Sequence, residues 1–396
     1  MIFVDTHDSN WAWDETAGAY YWHRFFDHQP DLNFDDAWVR EAMKDVVRFW
    51  LDAGFDGLRL DAVPYLYERE GTDGENLPET HAYLKELRAM VDAEYTDRVL
   101  LAEANQWPDD VAAYFGDGDE FHMAFHFPVM PRLFMAVALG EAKPVIDILD
   151  RTPDLPSGCQ WGIFLRNHDE LTLEMVTPEE RAYMYGRYAP EPSMRKNLGI
   201  RRRLAPLLDG DRRKITLLNG LLLSLPGSPF LYYGDEIGMG DDHLLEDRDG
   251  VRTPMQWEDS RGVGFSSADV SVYYLPPVSD PDYDPVRVNV SSQRDEPSSL
   301  LSWVRDLLAV RRSHPTLGTG NFIDHPVADP AAFCFTRRGI DGAVLVTANF
   351  SDGDVSVVPN VAERHWVDVA SSRPGWSADE PLDLGPYEFR WLVPVS

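Results

Sequence analysis

The stretch Gly57-Leu58-Arg59-Leu60-Asp61-Ala62 ends an apolar run on a carboxylate. The same pattern recurs in Leu100-Leu101-Ala102-Glu103-Ala104-Asn105 and, with more polar residues, in Arg166-Asn167-His168-Asp169-Glu170. Enough chain for one or more helices separates each stretch from the next. Strands that alternate with helices in this way are typical of a parallel sheet with helical crossovers.

Three carboxylates, Asp61, Glu103 and Asp169, follow the predicted strands at the point where each strand ends. In a parallel α/β barrel, catalytic groups gather at the carboxyl ends of the strands. A retaining glycosidase needs one carboxylate as nucleophile and one carboxylic acid as proton donor, about 5 Å apart. The three carboxylates together therefore predict glycoside chemistry, which none of them would predict alone.

Each of these residues also has a structural explanation. An aspartate after a strand often caps the next helix, which would account for Asp61. Arg59 lies two residues earlier on the same face of the strand, so it either holds Asp61 ionised for catalysis or forms a structural ion pair with it. Glu103 follows apolar residues, and partial burial is expected to raise its pKa, as a proton donor requires. The segment 167–170 would also fit a polar turn around a histidine.

The length of 396 residues and the 44% hydrophobic content suit a large α/β domain followed by a smaller one. After Pro315, short β-rich runs are separated by Asp-Gly and Pro turns, which predicts an antiparallel β-sandwich. We place the domains at 1–314 and 315–396. Polar residues and prolines interrupt the apolar stretch 217–233, so it predicts a buried helix and a strand and not a membrane span.

Hydrophobic periodicity and capping residues predict the elements around these motifs. A helix capped at 35–36 should end at Gly54. We expect further helices at 78–94 and 298–313, and strands at 55–60, 99–102, 121–127, 161–165 and 229–233.

The net charge of −31 comes from 44 Asp and 23 Glu against 31 Arg and only 5 Lys. Such a surface repels phosphates and anionic lipids, so we expect neither nucleic acid nor membrane partners. An ordinary acidic protein would show this charge, but we favour adaptation to molar salt, in which the repulsion is screened. The chain has two cysteines, which lack the spacing of a metal site, and residues 1–8 lack the features of a signal peptide. Both observations favour a reducing cytoplasm.

The set Gly57-x-Arg59-x-Asp61, Glu103 and Asn167-His168-Asp169 resembles the α-amylase clan of retaining α-glycosidases and transglycosylases. Longer blocks at 20–26, 28–33, 63–72, 122–128 and 250–257 resemble the trehalose synthases of that clan. The resemblance implies an α/β fold, a TIM (β/α)8 barrel of the α-amylase type with a C-terminal antiparallel β-sandwich. Family members carry about three barrel strands ahead of the first block, so we expect a barrel that lacks those strands.

The resemblance also implies roles for individual residues. Asp61 would be the nucleophile, Glu103 the acid and base, and Asp169 the residue that stabilises the transition state. Arg59 and His168 would position Asp61 and the sugar. The second sugar would contact Tyr65, Glu170 and Glu174, although the two glutamates would also fit a solvated i,i+4 helix face.

The implied reaction is an intramolecular α-glucosyl transfer that interconverts maltose and trehalose. A calcium ion would bind Asp31, Glu68 and the backbone carbonyls of Tyr65 and Leu66, although surface charge also explains the two carboxylates. No organic cofactor is expected, and self-association into a homo-oligomer stays open. Two alternatives are an α-glucosidase that hydrolyses maltose or related α-glucosides, and an inactive truncated remnant that serves as an interaction module.

Overall fold

The computed structural model describes residues 8–395. The chain divides into two compact units, one holding the residues up to Phe125 with Pro153–Trp161, and one holding His126–Thr152 with the residues from Gly162 onward. The start of the chain, where we expect no signal peptide, lies almost wholly outside the described residues. The domain boundary at 314 stays a prediction.

The first unit follows the local signals of the sequence closely. Helix α1 (Ala37–Asp52) begins after Asp36, whose carboxylate accepts a hydrogen bond from the backbone N–H of Trp38, as expected for a helix cap. Helix α2 (Pro78–Glu94) has the predicted bounds. The other elements are β1 (Trp11–Asp14), β2 (Ala19–Trp22), β3 (Gly57–Leu60), β4 (Val99–Ala102), α3 (Pro108–Ala112) and β5 (Met123–Phe125).

Strands β3, β4 and β5 pair in parallel, so their carboxyl ends meet at one edge. One further hydrogen bond extends this pairing past the strand ends, because the backbone N–H of Glu103 donates to the carbonyl oxygen of Leu60 at 3.0 Å. The residues 100–102 are buried, whereas β3 is half-exposed. Our prediction of a buried strand at 55–60 is therefore wrong, because β4 is its only neighbouring strand within residues 8–395.

The second unit combines short helices with parallel and antiparallel strands. Strand β6 (Gln160–Phe164) begins in the first unit, and its residues from Gly162 onward pair in parallel with β10 (Ser228–Phe230). Helix α8 (Arg212–Leu222) supplies the buried helix predicted before β10. No closed ring of eight strands forms within the described part of the chain. The other elements are α4 (Val129–Leu139), α5 (Lys143–Asp150), β7 (Leu171–Thr172), α6 (Pro178–Tyr188), β8 (Arg195–Lys196), β9 (Gly199–Ile200), α7 (Leu204–Leu207), α9 (Val290–Gln293), α10 (Leu300–Ser313) and α11 (Thr316–Thr319).

The C-terminal region is antiparallel, as predicted. Its main sheet has the order β11-β12-β13-β18-β15-β16, and β14 pairs with β17. Leu345 and Trp366 of the main sheet share a core with Val355 and Leu384 of the pair. The strands are β11 (Asn321–Asp324), β12 (Ala332–Gly339), β13 (Gly342–Asn349), β14 (Val355–Val357), β15 (His365–Asp368), β16 (Trp376–Ser377), β17 (Leu382–Leu384) and β18 (Phe389–Pro394).

The cysteines and the helices bear on redox state and on membrane insertion. Cys159 and Cys334 are both free thiols. Burial raises the pKa of Cys334 to about 12, so this thiol is unreactive at neutral pH. Within residues 8–395, no helix is both long enough and apolar enough to cross a bilayer.

We expect the buried histidine His126 to make the stability of the folded chain sensitive to acid. Its Nδ1 accepts the N–H of Val129 at 3.2 Å, and its Nε2 lies 2.7 Å from Thr152 Oγ1. Burial lowers its pKa from 6.5 to about 4, so the unfolded chain takes up a proton at higher pH than the folded chain. The contribution of this residue to stability is complete above pH 6.5 and is lost as the pH falls towards 4, by about 3 kcal/mol in all.

Urea unfolding at constant salt between pH 7 and 4.5 measures this loss. His126→Asn keeps a side-chain acceptor at the start of α4 but cannot be protonated, so its stability should fall less steeply with pH. Equal pH slopes in the two proteins would show that His126 does not cause the acid sensitivity.

Candidate active site

Arg59 joins the two carboxylates that end β3 and β4. Its Nη2 lies 3.3 Å from Asp61 Oδ1, and the same nitrogen donates to Glu103 Oε2. The structure therefore brings together three of the residues that the sequence predicted. Their meeting follows from the parallel pairing, since Arg59 is in register with Leu101 and both strands end one residue later. Asp61 and Glu103 therefore stand at equivalent positions, two residues beyond the register pair.

The two carboxylates differ in their environment. The side chain of Asp61 is 74% exposed, whereas that of Glu103 is 15% exposed. Glu103 is therefore largely shielded from water beside a guanidinium, whereas Asp61 is open to solvent. An exposed carboxylate beside a buried one suits a pair in which the first attacks a substrate and the second exchanges a proton.

A left-handed residue follows Asp61 directly. Ala62 has φ 49° and ψ 38°, a conformation that costs a non-glycine residue about 1–3 kcal/mol and that is common at functional sites. The turn ends β3 and starts the short 3-10 helix Val63–Tyr65. An alanine gives no sequence signal for this conformation, so it was not predicted.

Tyr65, the predicted contact of the second sugar, lies in the same unit. The Arg24 guanidinium carbon stacks 4.5 Å from the centre of its ring. Arg24 also pairs with Glu75 at 2.8 Å, and Glu75 accepts a hydrogen bond from Gln106 Nε2 at 3.1 Å. This chain of contacts links Tyr65 to the segment that follows Glu103.

His168 and Asp169 follow β6 in the second unit, where two arginines hold Asp169. Its Oδ1 lies 2.8 Å from Arg252 Nη2 and 3.1 Å from Arg248 Nη1. His168 Nε2 lies 3.2 Å from Asp169 Oδ2, and Arg252 donates to the His168 carbonyl at 2.7 Å. Sequence reasoning missed both arginines, although Arg252 lies in the block 250–257 that carries the resemblance. The two guanidiniums fix the position of the Asp169 carboxylate through charge-assisted contacts.

Glu170 and Glu174 do not lie on a helix. Strand β7 starts at Leu171 and pairs with β9, and α6 begins only at Pro178. The alternative of a solvated i,i+4 helix face is therefore wrong, because the sheet pairing takes the backbone groups that a helix would need. Asn197 donates to Glu170 Oε1 at 2.8 Å, and Arg248 lies 3.7 Å from the other oxygen.

Asp31 and Glu68, the predicted calcium ligands, are two partly buried carboxylates that repel each other. Burial raises the pKa of Asp31, and it raises the pKa of Glu68 to about 7, with the charge of Asp31 adding to the shift and Arg24 opposing it. Glu68 Oε1 is buried and has no hydrogen-bond partner within the described residues. This donor set fits a hard cation, which would need backbone carbonyls as well, since no three acidic, histidine or cysteine side chains converge as metal ligands in residues 8–395.

Comparisons with known proteins identify the family of the chain. The α-amylase catalytic domain family matches residues 3–186 and 201–320. The trehalose synthase of Pimelobacter sp. is 58% identical over 364 residues, which is 89% of this chain and 64% of that protein. The trehalose synthase/amylase of Mycobacterium tuberculosis is 60% identical over 355 residues, or 88% and 59%. The chain thus spans less than two thirds of the length of these relatives.

Solved structures show the same fold at lower sequence identity. The α-amylase of H. orenii has a TM-score of 0.73 at 22% identity, covering 98% of this chain and 70% of that one. A trehalulose synthase variant has a TM-score of 0.75 at 24% identity, with coverages of 98% and 74%. The catalytic-domain match extends over the carboxylates that end β3 and β4 and over Asp169, and this chain belongs to the α-amylase family.

Proposed function

We propose that this chain carries the catalytic residues of a retaining α-glucosyltransferase that interconverts maltose and trehalose. The observation that carries the proposal is the placement of Asp61 and Glu103 on either side of Arg59, at the ends of two adjacent parallel strands. The relatives named trehalose synthases, at 53–60% identity, support this choice of reaction.

In the first step, an Asp61 oxygen attacks C1 of the non-reducing glucose of maltose. Glu103 gives its proton to the glycosidic oxygen, the C1–O bond breaks, and free glucose leaves a β-glucosyl ester on Asp61. Positive charge develops at C1 in the transition state, and we assign its stabilisation to Asp169, which Arg248 and Arg252 hold in place.

In the second step, the freed glucose turns and its anomeric hydroxyl attacks C1 of the ester. Glu103, now a carboxylate, takes the proton from that hydroxyl, Asp61 departs, and trehalose is formed. We assign the positioning of the bound sugar to Arg59 and His168. The second glucose is assigned to the residues Tyr65, Glu170 and Glu174. Water must stay out during the turn, because water at C1 would release glucose.

Hydrolysis of maltose is the second candidate function. Asp61 is 74% exposed, so water has access to the carboxylate that would carry the ester. One relative is named both a trehalose synthase and an amylase, and Maltase A2 of Drosophila melanogaster is 28% identical over 432 residues. The two functions share the first step and differ only in which hydroxyl completes the second.

We further propose that the barrel needs a polypeptide segment beyond the described residues to pair with β3. On the outer face of α1, Trp38 is 74% exposed and Phe49 is 62% exposed, and Phe49, Trp50 and Phe55 form an edge-to-face aromatic cluster with centroid distances of 5.1 and 5.3 Å. Among residues 8–395 no strand pairs with the second edge of β3, and such an edge beside exposed aromatic side chains invites pairing with another strand or self-association. The chain alone is therefore expected to have little or no activity.

One experiment tests the reaction and the need for a further segment. The chain is assayed with maltose by proton NMR, first alone and then co-expressed with the portions of the Pimelobacter enzyme that its match leaves out. Trehalose in the second preparation supports the transferase, and mainly glucose supports the hydrolase. If neither preparation forms a product, the result supports the alternative of an inactive truncated remnant. Full activity of the chain alone would contradict the proposal that the barrel needs a further segment.

We propose that a calcium ion binds Asp31, Glu68 and the carbonyls of Tyr65 and Leu66. The unpartnered oxygen of Glu68 and the mutual repulsion of the two carboxylates support it. The ion would neutralise this charge and fix the segment next to Tyr65. Saturating calcium at about 100 times its Kd should stabilise the fold by about 2.7 kcal/mol.

Thermal unfolding with calcium and with a chelator measures this effect at constant potassium chloride. Glu68→Gln should remove the difference between the two conditions, whereas Glu70→Gln, an exposed glutamate two residues away, should keep it. An equal melting temperature with calcium and with chelator in the unmodified chain would exclude the site.

A reducing, salt-rich cytoplasm is the location that we propose. The two free thiols and the strong excess of carboxylates support this location.

A further inference from the structure

Both arginines that contact Asp169 come from one segment, residues 243–252 of the second unit. The segment consists of turns, with the single 3-10 turn Asp249–Val251 near its end. A backbone of turns has few hydrogen bonds of its own, so contacts with the rest of the protein must hold it in one conformation. Those contacts therefore decide whether Arg248 and Arg252 keep their places beside Asp169.

One side chain, that of Arg201, binds this segment at three points. Its terminal nitrogens donate to the carbonyl oxygens of Leu245 at 2.8 Å, of His243 at 3.1 Å and of Asp247. Its Nε donates to Ser193 O at 2.7 Å. The segment thus wraps around a half-buried guanidinium, whose charge strengthens each of these hydrogen bonds. Arg201 is not among the candidate catalytic residues.

Asp247 carries the effect of Arg201 to Arg248. Its φ is 41°, a left-handed conformation that a residue with a side chain keeps only where its surroundings fix it. Arg201 binds the carbonyl of Asp247, and Asp247 Oδ2 lies 3.1 Å from Arg248 Nε. Arg248 Nη1 in turn lies 3.1 Å from Asp169 Oδ1 and 3.7 Å from Glu170 Oε2. A continuous chain of contacts therefore leads from Arg201 to Asp169.

Arg252 is held by different residues. The hydroxyl of Tyr232 donates to the carbonyl of Val251 at 2.8 Å, and the hydroxyl of Tyr233 donates to the carbonyl of Thr253 at 2.6 Å. These two hydrogen bonds fix the backbone on either side of Arg252. Loss of the Arg201 side chain should therefore release Arg248 and leave Arg252 in place.

We propose that Arg201 is a positioning residue of the glucosyl transfer, which holds the segment 243–252 so that Arg248 keeps Asp169 in place. This role rests on the proposed function, in which Asp169 stabilises the transition state. A guanidinium suits the role because its donors diverge in one plane and reach several carbonyls at once, whereas an ammonium is a point charge. A displacement of about 1 Å in a group that acts on the transition state lowers turnover by up to about 10²-fold.

Hydrogen–deuterium exchange tests the support of the segment in the full chain at high salt, without substrate. Arg201→Met should speed the exchange of amides in 243–252 by about tenfold. Arg201→Lys keeps the charge and disturbs folding less, and it should speed exchange of the same amides to a smaller extent. Arg311→Met is the matched control, because Arg311 also binds backbone carbonyls, those of Leu223 and Leu317, and its loss should leave exchange in 243–252 unchanged. Unchanged exchange in 243–252 after Arg201→Met would overturn the proposal.

Maltose kinetics in the co-expressed preparation test what this support does for the reaction. Arg201→Met should lower kcat by up to about 10²-fold and change KM by less than about threefold, because Asp169 acts on the transition state. Arg201→Met should cost little further activity when added to Arg248→Met, but its full factor when added to Arg252→Met. A full further loss on top of Arg248→Met would overturn the proposal. Absence of turnover by the unmodified protein would count against the proposed function, while the exchange experiment still decides whether Arg201 holds the segment.

Discussion

Asp61→Asn is expected to lower the turnover of maltose by about 10⁴-fold or more in the active preparation. The amide has the size of the carboxylate and keeps a hydrogen-bonding oxygen, but it does not form the glucosyl ester. The binding of maltose should change little, because the contacts of the sugar with the other residues stay in place. Initial rates of trehalose and glucose formation by NMR, with KM from the same series, measure both effects.

The matched control is Asp56→Asn, the same change in a side chain that is 96% exposed and five residues earlier, 3.9 Å from Arg98. It should retain nearly full activity. Glu103→Gln tests the role of Glu103 as proton donor. An aryl α-glucoside with a good leaving group needs no proton donor, so with this substrate the variant should regain much of the rate of ester formation. If Asp61→Asn keeps a tenth of the activity, Asp61 is not the nucleophile.

Local signals predicted the long helices α1, α2 and α10 close to their observed bounds. Pro78 at the first helical position and the capping carboxylate of Asp36 each act within one turn, so the sequence alone contains them. The strand at 55–60 shows the limit of such signals. Its apolar run would suit a central strand, and only its neighbours decide that β3 is half-exposed.

The candidate site also contains residues that local sequence patterns predict and residues that they do not. Arg59 and Asp61 were predicted to act together because the two-residue period of a strand places them on one face. The pairing of Glu103 with Arg59 also follows, since sequential parallel strands end at the same edge. Arg248 and Arg252 contact Asp169 from about 80 residues further along the chain, and no local pattern indicates such a contact.

The chain is expected to unfold in low salt, which is the largest effect on stability that the sequence predicts. Its 67 acidic side chains face only 36 basic ones. One surface cluster shows this excess of acidic groups, because the single guanidinium of Arg48 pairs with three carboxylates, those of Glu41, Asp45 and Glu94, at 2.8–2.9 Å. The screening length grows from about 3 Å at 1 M salt to about 30 Å at 0.01 M, so carboxylates across the whole surface repel one another in dilute buffer.

Circular dichroism during dilution from 3 M to 0.05 M potassium chloride should show a cooperative loss of helix. Sorbitol in place of salt separates the causes, because a neutral osmolyte strengthens burial but does not screen charge. If screening is the cause, sorbitol should not replace the salt, and potassium and sodium chloride should act alike at equal ionic strength. A melting temperature that stays constant across this range would show that the acidic surface is not an adaptation to salt, and it would also remove the main support for a salt-rich cytoplasm.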